Sequence, residues 1–127
     1  MNKKLIVGLC LLITTKFLQV NAVTTNDIPN YSPKVKTISE IIDEKALQYG
    51  VSADVMNAVI KCESQYNPNA VGDGGHSRGL VQIFDSYHPN ITHEQAFDPE
   101  FAITFLAKNL VQGKGEMWTC WRQLNVG

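Results

Sequence analysis

The chain has 127 residues, enough for one domain, with 44% hydrophobic residues, 18% charged residues and a formal net charge of −1 at pH 7. Its charged residues form neither a basic patch nor a run of one sign, which argues against nucleic acid as a partner. The sequence contains no internal repeat and no low-complexity segment.

The N-terminus has the three parts of a secretory signal peptide. Residues 1–4 are short and basic, residues 5–15 are apolar but too short for a permanent transmembrane helix, and residues 20–22 are small or aliphatic around one Asn. We expect cleavage after Ala22 and a protein that is secreted or held in the periplasm or cell envelope without stable membrane insertion. An uncleaved anchor is the alternative, which Lys16 disfavours because it interrupts the apolar run.

Removing residues 1–22 changes the charge and the cysteine count. Eight basic and twelve acidic residues remain, so the net charge becomes −4 and local contacts would have to hold any anionic polymer. Cys10 is lost, and Cys62 and Cys120 remain. An even pair in an exported protein predicts a disulfide, with two free thiols as the alternative.

Residues 23–36 contain two prolines among mainly polar residues and predict an extended linker. A first helix is predicted over about residues 37–49, because Thr37 and Glu40 have capping-box spacing and Gly50 suits a helix end. Its predicted apolar residues are Ile38, Ile41, Ile42, Ala46 and Leu47. Its predicted solvated face is Glu40, Asp43, Glu44 and Lys45.

A second helix is predicted from the N-cap Ser52 to about Ser64, with an apolar stripe that should bury it. Glu63 therefore lies in its last turn, where the helix dipole and burial both favour the protonated carboxyl group that a general acid needs. On position alone a solvent-facing glutamate is the more frequent case, so the role of Glu63 depends on its surroundings.

The chain after Glu63 alternates turns and short elements. Residues 72–75 form a glycine-rich turn, and residues 77–83 predict an extended segment or a single turn. There, Gly79 permits close approach of a backbone or a sugar, and the Gln82 amide can both donate to and accept from sugar hydroxyls. Two helices follow, at about 93–97 and from Asp98-Pro99 to about 112, before an apolar cluster at 117–121.

Four sequence features follow one another at characteristic distances. They are Glu63-Ser64, the Asn-Pro-Asn-Ala turn after it, the segment Ser77-x-Gly79-Leu80-x-Gln82-Ile83 and the Asp98-Pro99 helix start. Together they resemble the catalytic domain of soluble lytic transglycosylases, in the lysozyme-like superfamily that includes goose-type lysozyme. The resemblance spans about residues 52–121. It implies a mainly α fold over residues 37–127, compact and lysozyme-like, with a substrate cleft and at most a very small β element.

The resemblance also implies a chemistry on the glycan strands of peptidoglycan. The residue aligned with Glu63 is the family's single general acid and base: it protonates the β-1,4 oxygen between N-acetylmuramic acid and N-acetylglucosamine. It then takes the proton of the muramic C6 hydroxyl, which closes a 1,6-anhydro ring without water, with help from the substrate's N-acetyl group. The aligned cleft positions are Ser77, Gly79, Leu80 and Gln82. Tyr87 is a weaker candidate for the same wall, and the favoured interpretation is that it simply packs.

Three interpretations of the function stay open, and a lytic transglycosylase is the first. If Asp73 or Asp85 reaches the cleft, a hydrolysing lysozyme becomes the better interpretation, and a non-catalytic glycan-binding module is a third.

The family's Ala-Tyr-Asn segment, whose tyrosine contacts the acid, has no counterpart here, so we hypothesise that a Cys62–Cys120 bond fixes the C-terminal segment against the second helix instead.

We expect no cofactor and no metal ion. His76, His88 and His93 could be grouped with Asp73, but their spacing fits no zinc signature. We also expect the domain to be a monomer.

Overall fold

The computed structural model describes residues 32–124. The predicted signal peptide at 1–22, residues 23–31 of the predicted linker and residues 125–127 lie outside the described residues. A compact unit begins at Lys34. Within residues 32–124, no helix is long and apolar enough to cross a membrane.

The described residues are mainly helical, which confirms the predicted fold class. The helices are α1 Ile38–Tyr49, α2 Ala53–Ser64, α3 His93–Phe97, α4 Pro99–Val111 and α5 Thr119–Leu124. Single 3-10 turns lie at Asp73–Gly75 and Gly115–Met117. The three strands are β1 Val71–Gly72, β2 Ser77–Arg78 and β3 Ile83–Phe84. They form one antiparallel sheet in the order β1-β2-β3, with Gly72 opposite Ser77 and Ser77 opposite Phe84.

Local capping sets the helix boundaries close to where the sequence predicts them. The Thr37 hydroxyl accepts from the Glu40 N–H while the Glu40 carboxylate accepts from the Thr37 N–H, and Gly50 ends α1 with a φ of 67°. Ser52 caps α2 and Asp98 caps α4 through their side-chain oxygens. Each of these contacts satisfies a backbone group that the helix itself leaves unpaired.

The core lies where α1 packs on α4 and α2, while α3 packs on α4 and β2, and α5 packs on α2. Its largest fully buried side chains are Ile42, Met56, Val59, Ile60, Leu80, Val81, Ile103 and Leu106. Burying side chains of this kind contributes about 1.5–3 kcal/mol each before the entropy cost of ordering them. The predicted buried stripe of α2 is therefore confirmed, and it holds that helix firmly up to the turn that carries Glu63.

Two assignments on α1 are wrong. Leu47 is 87% exposed, and Lys45, assigned to the solvated face, is 8% exposed. The buried face follows positions 38, 41, 42, 45 and 46, and Leu47 lies off that stripe. Lys45 tolerates the position because its apolar stem packs inward while its ammonium group pairs with Glu44 at 3.1 Å and Glu100 at 3.0 Å.

Gly79 is required by a close approach between two backbones. It has a φ of 76°, its N–H donates to the Ala70 carbonyl at 2.9 Å, and a Cβ at this position would overlap the Ala96 carbonyl oxygen of α3. The close approach that the sequence predicts at this glycine is therefore with backbone. It sets the spacing between α3 and the segment that follows β2.

We expect Gly79→Ala to lower the free energy of unfolding far more than Gly74→Ala. Gly74 also has a positive φ, of 66°, but open space around its Cβ position, so its substitution should cost about 1–2 kcal/mol of conformational strain alone. The overlap with Ala96 should bring the cost of Gly79→Ala to about 3 kcal/mol or more. Denaturant unfolding of both variants checks this, and equal losses would contradict the overlap as the cause.

Candidate functional site

A small polar pocket lies between the end of α2, the sheet and the chain that enters α5. We call it the cleft. It is lined by Glu63, Asp73, Ser77, Gln82, Phe84, Tyr87, Met117, Trp118 and Thr119, and its volume is about 170 Å³. The sequence motif thus converges in space: the end of the second helix and the segment beginning at Ser77 face each other.

Glu63 occupies the last turn of α2, one residue before the helix ends. The next residue, Ser64, turns inward: it is buried and its hydroxyl donates to the Ile60 carbonyl at 3.1 Å. The chain then leaves the helix through two left-handed residues, Gln65 and Tyr66, with φ of 53° and 62°. This sharp exit leaves the Glu63 carboxyl group half-buried at the cleft wall.

The surroundings of Glu63 raise the pKa of its carboxyl group. Burial is the largest cause, because it penalises the charged form, and the nearby negative charge of Asp73 acts in the same direction. One contact opposes them: the backbone N–H of Cys120 donates to Glu63 Oε1 at 3.4 Å and lowers the pKa. The net effect is a carboxyl group that holds its proton to higher pH than an exposed glutamate.

Asp73 enters the cleft through a left-handed backbone conformation, with a φ of 51° in the 3-10 turn between β1 and β2. The Ser77 hydroxyl donates to its carboxylate, and Ser77 itself is 2% exposed. Ser77 therefore lines the cleft mainly as a support for Asp73. The sequence favours hydrolysis if a second acid lies in the cleft, and Asp73 is such an acid.

Asp85, the other candidate second acid, serves a different contact. Its carboxylate accepts from Arg78 Nη1 at 2.9 Å and lies 3.1 Å from His76 Nδ1, and the Arg78 contact chiefly holds the pKa of Asp85 at about 2. Asp85 does not line the cleft. The pairing instead ties β2 to the residue that follows β3.

Gln82 lines the cleft, but its amide has fewer free hydrogen-bonding groups than the sequence predicts. Its Nε2 donates to the Gly79 carbonyl at 3.0 Å and to the Ala70 carbonyl at 3.3 Å. Both amide protons are therefore used within the loop, and only the oxygen remains as an acceptor. With a φ of 48°, Gln82 also turns the chain toward β3.

The remaining predicted glycan-binding residues divide between core and cleft. Leu80 is 1% exposed in the core and Gly79 is buried against α3, so the structure does not bring either into the cleft. Tyr87 is 80% exposed, lines the cleft and packs on Phe84 with 5.1 Å between ring centroids, so its part in glycan binding stays a prediction. Met117 also lines the cleft, and its sequence signal is the apolar cluster around it, from which no binding role was predicted.

The predicted disulfide is confirmed, because Cys62 and Cys120 are bonded with 5.9 Å between their Cα atoms. The bond joins the last turn of α2 to the first turn of α5. Just before it, the Trp118 indole N–H donates to the Val81 carbonyl at 2.8 Å. These two contacts hold the backbone of Cys120 next to Glu63.

The histidines do not gather around the cleft. His76 pairs with Asp85, and His88 packs edge-on against Phe105 with 5.0 Å between ring centroids. Between residues 32 and 124, no three His, Cys, Asp or Glu side chains are close enough to share a metal ion.

The family model described as the transglycosylase SLT domain matches residues 40–124, about two thirds of the chain. This range begins in α1, ends at the last residue of α5 and contains every residue that lines the cleft. No curated protein and no solved structure matches the chain.

Replacing Asp73 with Asn should lower the pKa of Glu63. The substitution removes the negative charge that raises this pKa and leaves the burial of Glu63 in place. A carbon-detected NMR titration of the glutamate carboxyl groups measures the shift. Asp85→Asn is the matched control and should leave the Glu63 titration where it is, so an unchanged Glu63 pKa in the Asp73 variant would show that the two carboxyl groups do not interact.

Replacing both Cys62 and Cys120 with Ser should lower the free energy of unfolding by about 4 kcal/mol, because the bond closes a separation of 58 residues. It should also raise the pKa of Glu63, because the Cys120 N–H would no longer be held near the carboxylate.

Denaturant unfolding and the same NMR titration test both effects of losing the disulfide. A reducing agent should reproduce them in the native chain and do nothing to the double variant. If unfolding and titration are unaffected, the disulfide does not fix α5 against α2.

Proposed function

Because the chain belongs to the transglycosylase SLT family and is therefore a lytic transglycosylase domain for the glycan strands of peptidoglycan, we propose that Glu63 is its single general acid and base. The observation that carries this proposal is a half-buried carboxyl group with a raised pKa at the wall of a polar cleft. A general acid must keep its proton near the working pH, and burial is the usual way to achieve that.

In the first step, protonated Glu63 donates to the β-1,4 oxygen between N-acetylmuramic acid and N-acetylglucosamine. The bond from that oxygen to the muramic C1 breaks, and positive charge develops on the sugar ring. The oxygen of the substrate's own N-acetyl group stabilises this charge, which removes the need for a carboxylate nucleophile. The ionised Glu63 that results is held by the Cys120 N–H.

In the second step, the Glu63 carboxylate takes the proton of the muramic C6 hydroxyl, and that oxygen bonds to C1. The product is a 1,6-anhydro sugar, Glu63 regains its proton, and no water is consumed. One carboxyl group thus serves as acid and then as base. A raised pKa suits both roles, because it keeps the proton available and makes the carboxylate a stronger base.

The family's tyrosine has no counterpart in this chain, and the Cys120 N–H donates to Glu63 Oε1 at 3.4 Å. A backbone donor cannot rotate away, and the disulfide and the Trp118 contact keep it in place. We propose that this donor orients Glu63 and limits how far burial raises its pKa. Cys120 is then a positioning residue, because it acts through Glu63.

A second candidate function is hydrolysis, which the position of Asp73 in the cleft favours. It ranks second because the family match supports transglycosylation. A carboxylate in the same cleft as a protonated acid can activate water or support the sugar cation, as in two-carboxylate glycosidases. The Ser77 hydroxyl would hold such a carboxylate in place. The products would then carry ordinary reducing ends.

We also propose that the protein works outside the cytoplasm. Residues 1–22 have the parts of a signal peptide, the substrate lies in the cell envelope, and a Cys62–Cys120 bond persists in an oxidising compartment. With a net charge of −4 after cleavage, binding would rest on contacts within the cleft.

Glu63→Gln should lower turnover on purified peptidoglycan by about 10²- to 10⁴-fold while leaving glycan binding intact, because the amide keeps the shape of the side chain but cannot transfer the proton. Mass spectrometry of the released fragments measures turnover and product together. Glu94→Gln, the same substitution at an exposed position of α3, is the matched control and should retain activity.

Each product outcome has a defined meaning. Fragments one water lighter than reducing sugars would establish the anhydro product, and Asp73→Asn should then still form it. Reducing-end fragments that disappear in Asp73→Asn would establish hydrolysis. Binding without any fragments, and no effect of Glu63→Gln, would favour a glycan-binding module.

A further inference from the structure

A groove lies on the exposed side of α2, next to the disulfide. We call it the α2 groove. It is lined by Ala58, Lys61, Cys62, Gln65 and Tyr66, and its volume is about 600 Å³. The groove and the cleft have no lining residue in common, because Cys62 and Glu63 are consecutive on the helix and lie about 100° apart around its axis. A molecule in the groove therefore does not compete with glycan for the cleft.

The two ends of the disulfide differ in their access to solvent. Cys62 is exposed and lines the α2 groove, whereas Cys120, in the first turn of α5, is 8% exposed. Thiol–disulfide exchange begins when a thiolate reaches one of the two sulfurs, so access decides which sulfur is attacked. This asymmetry makes Cys62 the attacked residue and Cys120 the leaving group.

The groove also carries a positive charge beside the exposed sulfur. Lys61 lies in the last turn of α2 and is exposed, and in the part of the chain from 32 to 124 no carboxylate pairs with it. The lining of the groove contains no carboxyl group. The ammonium group therefore attracts a thiolate, and any carboxylate attached to the same molecule, over the short range that salt permits.

Tyr66 gives the groove a fixed wall. Its hydroxyl lies 3.3 Å from the Asn57 carbonyl oxygen and 3.2 Å from Asn57 Oδ1, which holds the ring along α2. Tyr66 is 37% exposed, so one side of the ring remains available to a ligand. The groove thus offers a small molecule an aromatic wall, a cation and a reactive sulfur.

We propose that Cys62 is a thiol-exchange site, at which a small thiol that carries carboxylate groups binds the α2 groove, attacks the Cys62 sulfur, releases Cys120 and slows glycan cleavage. This inference rests on the proposed function, because it concerns the regulation of the site at Glu63. The modification leaves the cleft residues themselves unaltered.

The exchange step balances without any further reactant. The thiolate sulfur bonds to Cys62 Sγ while the bond between Cys62 and Cys120 breaks. The electron pair of the broken bond leaves with the Cys120 sulfur, which takes a proton from water. One disulfide is exchanged for another, and the reverse attack by Cys120 on Cys62 expels the small thiol, because the packing of α5 on α2 keeps the two residues close.

Opening the bond acts on catalysis through the position of one backbone donor. The disulfide holds the Cys120 N–H beside Glu63 Oε1, and this link is lost in the adduct. The contact between the Trp118 indole and the Val81 carbonyl remains, so the cleft keeps its wall. Turnover should therefore fall about tenfold, the value of one hydrogen bond to a charged group, and the pKa of Glu63 should rise.

Peptide mapping by mass spectrometry after incubation with glutathione tests the site of exchange. Rapid alkylation should trap glutathione on Cys62 and the alkyl group on Cys120. Lys61→Gln should slow the exchange about two- to fivefold, the value of one exposed charge contact. Lys108→Gln, at an exposed lysine in the last turn of α4, is the matched control and should leave the rate unchanged. With uncharged 2-mercaptoethanol the effect of Lys61→Gln should be smaller.

The trapped adduct then serves for the functional measurements. Its turnover on purified peptidoglycan is compared with that of the untreated protein, and an NMR titration of Glu63 gives a readout that needs no turnover. In a sample that is not alkylated, removal of glutathione should close the bond again and restore both. Each variant and the adduct are checked for an unaltered circular dichroism spectrum.

Several results would overturn the proposal. Equal labelling of both cysteines, or a rate that rises steeply with low concentrations of urea, would mean that exchange follows global unfolding. An unchanged rate in Lys61→Gln, an equal slowing in Lys108→Gln or full turnover of the adduct would also overturn it. A protein that forms the Cys62 adduct with a shifted Glu63 titration, but never releases fragments from peptidoglycan, would instead retain the exchange site and refute the proposed enzyme function.

Discussion

The bond between Cys62 and Cys120 is the constraint on which the site depends. Every residue that lines the cleft, from Glu63 to Thr119, lies within the 58-residue separation that it closes. The six residues of α5 are too few to form a stable helix alone, so the bond and the packing on α2 hold that helix in place. One covalent link therefore keeps the two walls of the cleft together and brings the Cys120 N–H to Glu63.

The cleft is also where the fold tolerates unfavourable interactions. Glu63 has a raised pKa in the folded state, so its contribution to the free energy of unfolding is complete below the unfolded-state pKa near 4.5 and is lost as pH rises from there through the raised folded-state pKa. Asp73 and Gln82 both have left-handed backbones without being glycines. Strain and a disfavoured charge gathered in one pocket are typical of a functional site, because selection for stability alone would remove them.

Signals carried by neighbouring residues were sufficient for the α1 to α4 boundaries, because caps and turn residues act within a few residues. The even number of cysteines left after the predicted signal peptide was sufficient for the Cys62–Cys120 bond. The sequence by itself determined those features. Only the tertiary structure decided that Lys45 is buried, that Leu80 belongs to the core, that Asp73 reaches Glu63 and that Cys120 supplies the facing N–H. Each of these depends on where the chain goes after a left-handed turn, or on which helix packs opposite, and such long-range contacts leave no local pattern.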